Sequence, residues 1–179
     1  MTPKPWTARR AVAADLPRLR PLMEAAIRAL LKPYLDEAGV AASFEIMGLD
    51  TQLIDDGTYF AVDDGARIAG CGGWSRRATL FGGDHTAGRD ARLLDPAVEA
   101  ARVRAMYTDP AYTRRGIGRA ILDACEAAAR AEGFARVEMA ATAAGEPLYA
   151  ACGYAVIERM TSRTSTGVEI PLARMGKRF

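Results

Sequence analysis

Histidine is almost missing from this chain: His85 stands alone among 179 residues, and the three cysteines, Cys71, Cys125 and Cys152, lie far apart. Structural and catalytic zinc sites need several Cys or His side chains at close spacing, so no metal is expected. An odd number of scattered cysteines also argues against a disulfide framework, and each reads as a small apolar core residue. Charge of one sign is lacking too, with 24 Lys and Arg against 22 Asp and Glu for a net charge of +2. A protein that tracks phosphates shows a concentrated basic face, so no nucleic acid partner is expected. No run approaches the roughly 20 apolar residues that cross a bilayer, which predicts no membrane partner. The opening MTPKPWTARR lacks the apolar middle of a secretory signal, and the expected location is cytoplasmic.

What is present suits a globule. Half the residues are hydrophobic and 26% are charged, and the length falls in the usual range for one domain, here expected to span residues 1–179. After a short strand near residues 6–10, Leu16, Leu19, Met23, Ala26, Ile27 and Leu30 share one helical face. Pro17 and Pro21 place the start of that helix near Arg18, or a bend at Pro21, and Pro33 closes it. A second helix is expected over residues 44–54. Residues 59–62 and 67–74 read as a hairpin around Asp63-Asp64-Gly65. Gly70, Gly72 and Gly73 leave its second strand open to a close backbone or ligand. Residues 75–100 carry turn chemistry and four arginines without a period, which fits either a solvated excursion or a loop that touches substrate.

Residues 102–108 alternate as a strand, with Val103, Ala105 and Tyr107 against Arg102, Arg104 and Met106. An apolar helical stripe follows from Ile117 to Ala128, with Glu126 and Arg130 paired on its solvent side and Gly133 at its end. Then come a strand at 136–141, a short helix at 147–151, and two antiparallel strands at 154–160 and 168–175. Hairpins at the front and a strand–helix–strand crossover at the back predict a mixed sheet with one parallel pair.

The sharpest local feature is TRRGIG, residues 113–118, leading from a strand into a helix. Gly116 and Gly118 let successive backbone N–H groups converge on an anion, and the helix adds its positive end. Arg114, Arg115 and Arg119 add cationic arms. Ile121 stands where a dinucleotide fingerprint needs its third glycine, and the Gly-Lys-Ser/Thr of a P-loop is absent.

The segment VRAMYTDPAYTRRGIGRAIL, residues 103–122, resembles the acetyl-coenzyme A core of the GCN5-related N-acetyltransferases (GNAT). The family loop is Gln/Arg-x-x-Gly-x-Gly/Ala, and this chain differs in having Thr113 at the first position. PLYAACGY, residues 147–154, resembles the family's second signature. The resemblance implies an α/β (α+β) fold: a mixed, mostly antiparallel sheet of about seven strands with a central parallel pair, flanked by about four helices. It implies an enzyme that moves the acetyl group of acetyl-CoA, used as a co-substrate, to a primary amine of a small molecule or peptide by direct attack. Met106, Tyr107, Thr108, Arg114, Arg115, Gly116, Ile117, Gly118 and Arg119 would hold the cofactor. Tyr149 would protonate the departing thiolate, and Tyr34 and Trp74 would line the acceptor pocket. Glu99 is a candidate base, with His85 and Glu146 also considered. The alternative is a non-catalytic acyl-CoA-binding regulatory module. A homodimer is the general expectation for such a chain.

Overall fold

The computed structural model describes residues 6–179. The first strand, β1 (Ala8–Arg10), is followed by a single 3-10 turn (Ala13–Asp15) and α1 (Leu16–Leu31). The buried Asp15 carboxylate accepts from the Val12 N–H at 2.9 Å and from two Arg9 nitrogens at 2.8 Å each. That anchor starts the helix two residues ahead of the predicted Arg18. Pro17 lies in the opening turn and Pro21 inside the helix, at an exposed position. The helix therefore runs on through Pro21, at the cost of one backbone bond on its outer side.

The single helix expected over 44–54 is two. α2 (Glu37–Ile46) starts at Asp36, whose Oδ1 accepts from the Gly39 N–H at 2.7 Å, and α3 (Thr51–Asp55) follows a break at 47–50. Tyr107 holds the break open: its hydroxyl accepts from the Gly48 N–H at 3.0 Å and donates to the Gly48 carbonyl at 3.1 Å. Fifty-nine residues of sequence separate these partners, which is why local periodicity misses the interruption.

The remaining order is β2 (Tyr59–Asp63), β3 (Ile68–Ser75), β4 (Ala101–Thr108), α4 (Ile117–Ala131), β5 (Arg136–Ala141), α5 (Glu146–Ala151), β6 (Ala155–Arg163) and β7 (Glu169–Arg178). Between β3 and β4 the chain makes one isolated bridge, Arg77 with Leu93. All seven strands join one sheet in the order β1-β2-β3-β4-β5-β7-β6, antiparallel except for β4 with β5. This is the mixed α/β sheet with a central parallel pair that the sequence predicts, carrying five α-helices instead of four.

Each sheet face has its own core. Leu19, Met23 and Ile27 of α1 pack on Tyr59, Ile68 and Tyr107. On the other face Ile121, Leu122 and Cys125 of α4 pack with Trp74, Val103 and Tyr149. Glu126 pairs with Arg130 as expected, at 3.4 Å, but does not face solvent: it is 4% exposed, held also by Lys177 Nζ at 2.8 and 3.0 Å and by the Tyr154 hydroxyl at 3.0 Å. The α4 stripe is wider than the one read from sequence, because β7 supplies a cation where the pattern suggested water.

Two irregularities in β4 shape the site. Arg104 pairs with Gly73 and Tyr107 with Cys71, so Gly72 alone faces both Ala105 and Met106. This is a β-bulge, and Ala105 takes a positive φ of 52° to make it. The Tyr59 hydroxyl fixes it by donating to the Ala105 carbonyl at 2.8 Å. The second irregularity is a splay. β4 and β5 pair only at Ala101 with Val137 and Arg102 with Glu138, and beyond those residues the two strands diverge. One edge of β4 is thereby left without a strand partner.

Candidate active site

Three connected chambers follow the splay through the molecule. The outer one, of about 580 Å³, lies between the end of α1, the 113–118 loop and α5. It shares Thr108, Gly118 and Leu148 with a middle chamber of about 120 Å³. That chamber shares Met106, Tyr107 and Tyr149 with an inner one of about 70 Å³. The cleft thus runs from the glycine loop along the free edge of β4 to the buried face of Tyr149.

At the outer end, Arg114 and Gly116 both adopt positive φ, 62° and 85°. For Arg114 this conformation costs roughly 1–2 kcal/mol, and it turns the loop back on itself. The first backbone bond closing α4 runs from the Ala120 N–H to the Gly116 carbonyl at 3.0 Å. The amides of Ile117, Gly118 and Arg119 therefore have no acceptor within the helix, and no side chain caps them. A Cβ on Gly116 would meet nothing within 4 Å. An open, uncapped, positively charged helix start is a site for an anion.

Most of the expected loop residues border this chamber: Arg114, Gly116, Ile117, Gly118 and Arg119 do so. Arg115 does not. Its guanidinium lies 5.1 Å over the Tyr112 ring and its carbonyl accepts from Trp6 Nε1 at 2.8 Å. Gly118 also has a packing role, since a Cβ there would approach Leu148 Cδ2 to 2.6 Å.

At the inner end, Tyr149 is 8% exposed and its ring lies against Gly145 and 6.1 Å from the Tyr154 ring. Burial, reinforced by Cys125 and Cys152, pushes its hydroxyl above the ordinary tyrosine range. The hydroxyl therefore keeps its proton at neutral pH.

Residues 22–154 of the chain match the Acetyltransferase (GNAT) family. The chain belongs to that family. No curated protein sequence matches the acetyltransferase. Its fold is similar to that of the GCN5-related N-acetyltransferase from Rhodopseudomonas palustris, at 18% identity and a TM-score of 0.73, over 100% of this chain and 99% of that one. It is similar to PaiA N-acetyltransferase from Thermoplasma acidophilum, solved in complex with coenzyme A: 12% identity, TM-score 0.65, 98% and 100% of the two chains. A third similar structure is yncA from Salmonella typhimurium, a putative acetyltransferase with its cofactor acetyl-CoA, at 17% identity, TM-score 0.64 and 98% and 94% coverage.

Several other expected site residues of this acetyltransferase stand elsewhere. Glu99 precedes β4, about 23 Å of extended chain away from Met106, and lines none of the three chambers. Arg92 grips it at 2.9 and 3.0 Å and, with the Asp95 N–H, lowers its carboxyl to about 2. A carboxylate so stabilised is a poor base. Trp74 is 1% exposed, edge-on to Phe134 at 6.0 Å, and belongs to the α4-side core. It does not line an acceptor pocket. Tyr34 borders the outer chamber beside the loop, at the opposite end from Tyr149. His85 Nε2 lies 2.6 Å from the Phe44 carbonyl, tying the 76–100 segment to α2, and Glu146 pairs with Arg159 at 2.8 Å.

The inner walls were not read from the sequence. They include Ile46, Phe81, Arg104, Met139 and Leu172, drawn from five different stretches of chain. Among them only Arg104 carried a local signal, a charge inside a strand otherwise destined for burial.

Proposed function

We propose that this acetyltransferase transfers the acetyl group of acetyl-CoA to a primary amine of a small molecule or peptide by direct attack. The observation that carries this reading is the continuity of the cleft from the uncapped start of α4 to Tyr149 along the unpaired edge of β4. The pyrophosphate of the coenzyme would sit on the amides of Gly116, Ile117, Gly118 and Arg119, with Arg114 and Arg119 nearby. The pantetheine arm would lie against Met106, Tyr107 and Thr108 like an added strand. The amine nitrogen attacks the thioester carbon, a C–N bond forms and the C–S bond breaks. Tyr149 hands its proton to the departing sulfur, and the proton lost by the amine leaves with solvent. No carboxylate or imidazole lines the middle or inner chamber among the described residues, which favours a water relay over a dedicated base.

The test pairs binding with turnover. Gly118→Trp should abolish acetyl-CoA binding measured by titration, with circular dichroism checking that the fold persists. Tyr149→Phe should lower kcat for thiol release by about 10²-fold while leaving acetyl-CoA affinity within a few-fold. Wild-type protein that fails to bind acetyl-CoA would overturn the proposal.

A further inference from the structure

The free amides at the start of α4 depend on a loop conformation that the loop by itself does not favour. Arg114 and Gly116 both stand at positive φ, a strained state for arginine, and the residue between them is gripped from outside. Trp6, just ahead of β1, donates from Nε1 to the Arg115 carbonyl at 2.8 Å across 109 residues of sequence. Among the described residues this is the only hydrogen bond made to the backbone of Arg114 or Arg115. Trp6 is itself held in place. Its ring packs edge-on against Tyr112 with centroids 6.2 Å apart, and the Tyr112 hydroxyl bonds the Asp64 carboxylate in the β2–β3 turn. The Arg67 and Arg115 guanidinium groups lie 4.9 and 5.1 Å from the centre of the same Tyr112 ring.

The peptide unit between Arg115 and Gly116 is planar and trans, so its N–H points opposite to its carbonyl. A carbonyl fixed on Trp6 therefore turns the Gly116 N–H away from Trp6. Gly116 borders the outer chamber and Trp6 does not, and the Gly116 N–H has no acceptor among the described residues. The same bond protects a second amide. Were α4 to grow back by one residue, the Arg115 carbonyl would accept from the Arg119 N–H. The indole satisfies that carbonyl from outside the helix, which leaves the Arg119 amide free for an anion. We propose that Trp6 is a positioning residue for the nucleotide half of acetyl-CoA, its indole N–H holding the loop amides in the arrangement that receives the pyrophosphate. This inference rests on the reading of the loop given above.

Trp6→Phe removes the N–H and keeps an aromatic ring against Tyr112. Titrations with acetyl-CoA and with 3′-phospho-ADP, the half of the coenzyme that carries the pyrophosphate, should both weaken by about 3–10-fold. S-acetylpantetheine, the half without phosphates, should bind within twofold of its wild-type affinity. A loss of packing alone would loosen the cleft for both halves together. The second arm leaves the protein unaltered and uses linkage: a ligand that needs the Trp6 bond must strengthen that bond in return. Solvent exchange of the Trp6 indole N–H, followed by NMR, should slow by about 3–10-fold on saturation with 3′-phospho-ADP and stay unchanged with S-acetylpantetheine. If the variant does not fold, this arm decides alone. Acetyl-CoA affinity within twofold of wild type, equal losses for the two halves, or indole exchange insensitive to 3′-phospho-ADP would overturn the proposal and leave the donor assignment standing. Wild-type protein that binds neither acetyl-CoA nor 3′-phospho-ADP would strike the underlying reading instead.

Discussion

At the scale of single residues, the environment of Tyr149 decides what it can do. Its ring is buried, its hydroxyl is held in the protonated form, and it borders two chambers at once. The raised pKa keeps the acid present as pH rises, and it would be lost only above the ordinary tyrosine value near 10. The acceptor ammonium works the other way, becoming reactive as it loses its proton. A profile of kcat/KM should accordingly climb with pH and show no descending limb below pH 10; a limb there would remove Tyr149 from the role of acid. Gly145 sets the ring's position. A Cβ at 145 would lie 2.8 Å from Tyr149 Cε2 and 3.4 Å from Cζ, while the backbone there is ordinary, with φ −85°. Gly145→Ala should shift the ring and cut kcat by about 10–100-fold with a native circular dichroism spectrum. Steady-state kinetics on the purified variant would check it. The motif in the sequence pointed to Tyr149, which lines the cleft, whereas nothing pointed to Gly145, since nothing local says which side chain folds back over it.

Among the elements, β4 does most to build the site. Its alternation places Val103, Ala105 and Tyr107 on one face if the strand is regular. The bulge at Ala105 breaks that parity: Val103 joins the α4-side core and Tyr107 the α1-side core. The three glycines of β3 were expected to admit a backbone or a ligand, and two of them admit protein side chains at this boundary. A Cβ on Gly70 would come within 2.5 Å of Ile117, and one on Gly72 within 2.2 Å of the Met106 sulfur and 3.0 Å of Ile121. Gly72→Ala should therefore overpack the α4 side by about 1–3 kcal/mol and push Met106 toward the middle chamber. Urea unfolding would read the first effect and a several-fold weaker acetyl-CoA titration the second. Unchanged stability and affinity together would contradict the tight packing described.

Across the whole molecule, ion pairs join elements distant in sequence. Lys177 of β7 reaches Glu126 of α4, whose side chain is 5% exposed. Lys177→Met should destabilise the protein by about 1–3 kcal/mol, because it leaves the buried Glu126 carboxylate with only the Tyr154 hydroxyl and the more distant Arg130. Adding Glu126→Gln should recover much of that loss in thermal or denaturant melts; a double variant no better than the single would mean that Lys177 acts by packing. The glycine loop, the helix it starts, the parallel pair implied by the crossover and the tyrosine signature all follow from adjacent residues, and the sequence by itself determined them. Helix starts, turns and hydrophobic periods are short-range consequences of backbone sterics and burial. Tertiary structure alone decided the break between α2 and α3, made by a tyrosine hydroxyl 59 residues away, and the bulge that sends Val103 and Tyr107 to opposite faces. It also took Glu99 and Trp74 out of the site and brought Arg104, Phe81 and Leu172 into it. These outcomes depend on which strands pair and where two of them part, and that is fixed by contacts between segments whose separation carries no local periodicity.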